Sequence, residues 1–99
     1  MLWRHGDVLI ATTESLPADA RPRRGQVLVR GEATGHSHRI AEPAAAQLWE
    51  SGTSLFLRVV AGRATVVHEE HRPIVLPRGM YRVWTQREYS PREIRQVLD

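Results

Sequence analysis

Apolar residues recur along the chain in short, often β-branched runs, broken by glycine, proline or acidic residues. "DVLIAT" at Asp7–Thr12 predicts a strand. Residues 13–25 hold two prolines and no helical period, so they predict a long loop, a kind of segment that often carries function. "QVLVRGEATG" at Gln26–Gly35 predicts a strand that breaks at its glycines, and "HSHRI" continues extended. Residues 42–51 predict a short helix. Pro43 suits the first helical position, the alanines favour the helix, Gly52 stops it, and Leu48 with Trp49 gives it an apolar side.

Beyond Gly52 the period returns to that of strands. "SLFLRVVAG" and "RATVVH" predict two strands, ending at Gly62 and His68. "EEHR" turns the chain into "PIVL", and "PRG" at Pro77–Gly79 turns it again into "MYRVWTQREY". Ser90, Pro91 and Glu93 form a capping box, which predicts a C-terminal helix over residues 90–98. So short a helix must dock on the sheet or on a partner. The expected architecture is all-β: one domain spanning 1–99, a small antiparallel β-barrel or sandwich with a short mid-chain helix and a short C-terminal helix.

Composition narrows the chemistry. The chain has no cysteine, which excludes disulfides, thiolate zinc sites and thiol nucleophiles. Any metal must take nitrogen and oxygen ligands. The formal net charge is +3, and every basic residue is arginine. The missing lysine excludes Schiff-base chemistry. An all-arginine charge reads either as a coding bias or as an anion-binding surface. No run is long and apolar enough for a transmembrane helix, and the N-terminus lacks a secretory pattern. The expectation is a cytoplasmic, bacterial protein.

Four of the five histidines lie in two clusters, "GHSHRI" and "HEEH". Strand alternation points His36 and His38 the same way and puts Ala64, Val66 and His68 on one face. His71 lies at the turn that follows. If both strands reach one mouth of a barrel, the imidazoles converge. Three imidazoles suit one divalent transition metal such as Zn, Mn, Fe or Ni, with Glu42, Glu69 or Glu70 as an oxygen ligand or an orienting group. The same histidines fit metal-free acid–base catalysis on a phosphodiester, with His36 and His68 as the acid–base pair. Arg39, Arg72, Arg82 and Arg87 are then the anion holders, and Tyr89 a proton donor or hydrogen bonder. They also fit an inert, solvated hairpin tip. His5 stands apart and reads as surface.

Two resemblances add to this. His36, His38 and Glu42 stand at the spacings of a cupin H-x-H-x(3,4)-E stretch, and Pro77–Gly79 matches the cupin P-x-G turn. The likeness covers about half the chain and lacks the later cupin histidine. It implies a β-barrel with His36, His38 and Glu42 as metal ligands, and the convergence of strands argued above adds His68 to that metal set. The whole chain is also similar to a group of small bacterial proteins of uncharacterised function, through "GEATGHSHRI", "HEEH", "LPRGMYRV" and "QREY".

The functional expectation is a site centred on His36, His38, His68 and His71 that acts on an anionic substrate. Cleavage of an RNA phosphodiester, by paired histidines or with a metal, is the leading reading. The alternatives are a cupin-like divalent-metal module and a non-catalytic binding subunit. The partners to expect are nucleic acid, and a second copy or a larger protein reached through the C-terminal helix.

Overall fold

A computed structural model describes residues 1–31 and 34–86. Eight strands follow in order: β1 (Leu2–His5), β2 (Val8–Thr12), β3 (Arg21–Arg23), β4 (Val27–Arg30), β5 (Ser37–Ile40), β6 (Ala46–Ser51), β7 (Ser54–His68) and β8 (His71–Thr85). All pairings are antiparallel. The main path runs β1-β2-β8-β7-β5-β4, and β6 joins β7 to β3. The result is a curled half-barrel, all-β as expected. No helix of the described residues is long and apolar enough to cross a membrane.

The centre of the fold is the hairpin of β7 and β8, each 15 residues long. The expected breaks at Gly62 and at Pro77–Gly79 are not turns. Both lie inside continuous strands, where the register shifts between Val59 and Arg63. This bulge has a consequence for the site. Before it, the buried members of β7 include the odd positions Leu57 and Val59; after it, the even positions Ala64 and Val66 are buried. A bulge re-aims the side chains that follow it. His68 continues the even set towards the core end of the strand.

The mid-chain helix over 42–51 is replaced by a turn and a strand. Ala44 has φ 63°, a left-handed conformation that no helix accepts. From Ala46 the chain pairs residue for residue with β7, Leu48 against Leu57 and Trp49 against Phe56. Helix propensity is worth only tenths of a kcal/mol per residue. Burial of Leu48, which is 3% exposed, outweighs it. The expected loop over 13–25 also contains β3. Its Pro22 is tolerated because, among the described residues, β3 pairs with β6 alone. The C-terminal helix expected at 90–98 lies outside the described residues.

The core gathers Val8, Ile10, Leu28, Ile40, Leu48, Leu57, Val66, Leu76, Tyr81 and Val83 within the curl. Ala44 distinguishes the turn from the helix. In a helix, Ala44→Gly costs about 1 kcal/mol. At φ 63° the same change relieves a strain of roughly 1–2 kcal/mol. Urea unfolding of Ala44→Gly is expected to show a stability equal to or above that of the parent; a loss near 1 kcal/mol would restore the helix.

Candidate metal centre

Two tight turns build the site. Gly6 and Asp7 join β1 to β2, with His5 paired to Val8. Glu69 and Glu70 join β7 to β8, with His68 paired to His71. β5 supplies His38, paired to Val29 of β4 and two residues from Ile40, which pairs with Val66. The curl of the sheet brings these ends together.

All five histidines meet there. Ring centroids are 4.3 Å apart for His38 and His68, 4.6 Å for His68 and His71, and 5.5 Å for His38 and His71. His36 lies 5.7 Å from His68. His5 lies 4.9 Å from His38 and 5.6 Å from His71. His5, read from sequence as surface, is 2% exposed. Its Nδ1 is 2.8 Å from His38 Nδ1, and its Nε2 is 2.9 Å from the Arg72 carbonyl oxygen. The expectation failed because a lone histidine in a four-residue strand has no periodic partner. The available clue was its place directly before Gly-Asp, a tight-turn signal.

Two sets of ligand atoms lie close enough to hold an ion. One nitrogen from each of His38, His68 and His71 falls within 4.8 Å of the others, and His36, His68 and Glu69 form a second set. His38 is buried, His68 half-buried and His71 exposed, so the first set opens to solvent on one side. Gly6 makes room for His71. A Cβ added at Gly6, whose φ is 64°, would stand 2.5 Å from His71 Nε2.

The carboxylates divide. Asp7 Oδ1 faces His38 Nε2 at 3.7 Å. Glu70 lies 3.7 Å from His36 Nδ1, a buried atom with no hydrogen-bond partner among the described residues. Glu69 accepts from the Ser37 amide at 3.1 Å and from Arg39 at 3.1 Å. Its own main-chain amide, then Ser37 and Arg39, hold its pKa down to about 2. Glu42 is not brought to the imidazoles. Its oxygens accept from the Thr65 amide at 2.7 Å and the Thr65 hydroxyl at 2.6 Å, which pins the turn before β6 to β7.

The arginines also divide. Arg39 is spent on Glu69 and on the Ser37 carbonyl. Arg72 follows His71, exposes its side chain and lends its carbonyl to His5. Arg82 is exposed on β8 with its guanidinium 5.3 Å from the Trp84 ring centre. Arg87 and Tyr89 lie outside the described residues.

The model of a domain family described as a domain of unknown function, DUF8820, matches residues 4–86. The chain belongs to this family. The DUF8820 match takes in every histidine of the cluster, from His5 to His71. No curated protein and no solved structure matches the chain.

Packing imidazoles together disfavours their charged forms. Burial first, then His68 and His5, lower the His38 pKa to about 4, while Asp7 acts in the opposite sense. Burial lowers that of His5, against the bond to the Arg72 carbonyl. A depressed histidine pKa means that the unfolded chain binds more protons than the folded one below pH ~6.5. Stability therefore falls as pH drops from ~6.5 towards about 4, the window set by His38. Thermal melts between pH 7.5 and 4 are expected to show this fall, flattened in His38→Gln; parallel curves for the two proteins would contradict it. A second expectation concerns the turn. Gly6→Ala must displace the His71 ring and is expected to cost about 1–3 kcal/mol of stability, measured by denaturant unfolding, with no cost as the contrary result.

Proposed function

We propose that the protein is a divalent-metal module. His38, His68 and His71 hold one transition metal, and its open position faces an anionic substrate. The observation that supports this reading most is the trio of nitrogens within 4.8 Å. Ligands about 2.1 Å from a tetrahedral metal stand roughly 3.4 Å apart, so a small closure completes the site. Imidazole nitrogen suits Zn, Mn, Fe and Ni.

One hydrogen bond must yield. His68 Nδ1 accepts from the Glu70 amide at 3.0 Å, and a neutral ring that accepts at one nitrogen carries its proton on the other. Ligation by His68 therefore displaces the Glu70 amide. Losing that bond costs about 1 kcal/mol. Metal binding has to exceed that cost, and ligation in structural zinc sites does so many times over.

Metal-free acid–base catalysis is less well supported. His38, with a pKa of about 4, is the neutral imidazole at pH 7 and makes a poor general acid beside the His36 and His68 pair. Asp7, Glu69 and Glu70 around the imidazoles also repel a polyanion. A bound dication offsets this charge and supplies a Lewis acid for hydrolysis of an anionic ester, an RNA phosphodiester among them. In this reading Arg72, exposed and next to His71 in the chain, holds the anion.

Calorimetric titration of the metal-free protein with Zn, Mn, Fe(II) and Ni is expected to show one site per chain. Affinity is expected to fall at least tenfold in His38→Ala and in His71→Ala. RNA cleavage is expected only with metal and to be abolished by chelator. Absence of metal binding sinks the proposal. Cleavage that persists in chelator moves the reading to paired histidines.

A further inference from the structure

We infer that His5 is a positioning residue: its two hydrogen bonds fix His38 as the Nδ1–H tautomer and present the His38 Nε2 lone pair to the metal. This rests on the metal reading above.

The Arg72 main-chain carbonyl only accepts, so His5 Nε2, 2.9 Å away, carries a proton. A neutral imidazole has one N–H. His5 Nδ1 is then an acceptor, and the proton in the 2.8 Å contact between the two Nδ1 atoms belongs to His38. The opposite assignment needs a doubly protonated His5. That cation would be 2% exposed among the rings of His38, His68 and His71. Among the described residues, no carboxylate stands within 4 Å of His5 to compensate it. Isolated buried charge of this kind is disfavoured.

With its proton on Nδ1, His38 has one free lone pair, at Nε2. Asp7 Oδ1 faces that atom at 3.7 Å. Two acceptors opposed across such a gap leave room for a cation between them, on the side of His38 where a ligand nitrogen is needed. Metal-bound histidines as a rule donate their second N–H to an acceptor that orients the ring. Here the acceptor is another imidazole, itself held by the tip of the β7–β8 hairpin. His5 ties β1 to that tip and sets the chemistry of β5 at once.

The wild-type, metal-free protein tests the tautomer directly. Long-range proton–nitrogen correlation spectra of ¹⁵N-labelled protein at pH 7.5 are expected to show His38 protonated at Nδ1; protonation at Nε2 overturns the inference. Variants then test the role. His5→Phe keeps a ring but no hydrogen bond, and is expected to weaken Zn binding about 10–100-fold. His5→Gln keeps one donor and one acceptor and is expected to recover most of the affinity. Equal affinity in wild type and His5→Phe overturns the role, as does a His5→Gln no better than a folded His5→Phe. If the wild type binds no metal, the metal reading fails, and the tautomer spectrum still decides the His5 assignment. If His5→Phe does not fold, the same spectrum decides.

Discussion

The arrangement of the site depends on His5. One of its nitrogens meets the Arg72 carbonyl at the start of β8, and the other meets His38 on β5. β1 otherwise reaches the sheet by pairing with β2 and by packing Trp3 against Tyr81, towards the far end of β8. The His5 bonds join β1 to the opposite end of the central hairpin as well. A curled sheet leaves polar backbone at its rim, and a buried carbonyl without a donor costs about 1–3 kcal/mol. Closing the rim with imidazoles satisfies that carbonyl and concentrates nitrogen ligands at the same place.

The cost of this design is electrostatic. The rings of His5, His38, His68 and His71 crowd one another, and burial together with that crowding lowers the pKa of His38 and of His5. Asp7 beside His38 acts in the opposite sense. Glu69, held as an anion by Ser37 and Arg39, anchors the turn that carries His68 to the strand that carries His38. A dication held by the trio, as proposed, would turn the same crowding into a favourable set of contacts.

Much of the fold was legible in the chain. The strand periodicity of β2, β4, β5 and the central hairpin is local, and so is the turn at Glu69–Glu70. The face shared by Ala64 and Val66 was legible for the same reason. Three features were not. The helix expected at 42–51 rested on alanine-rich propensity, which pairing of Leu48 and Trp49 with β7 overrides. The breaks expected at Gly62 and Pro77–Gly79 are a bulge in a continuous hairpin, because neither proline nor glycine there ends the ladder. His5 was missed because its partners are 33 and 67 residues away, and long-range closure leaves no local pattern. Glu42 shows the converse. Its spacing from His36 and His38 suggested a ligand, yet both its oxygens serve Thr65.

The X-ray absorption spectrum of the zinc-loaded protein reads the proposed ligand set directly. Three imidazole nitrogens at about 2.0–2.1 Å are expected, with the multiple-scattering signature of histidine rings, and oxygen ligands completing the shell. A shell made only of oxygen, or an imidazole contribution that survives unchanged when His38, His68 and His71 are all replaced, would contradict it.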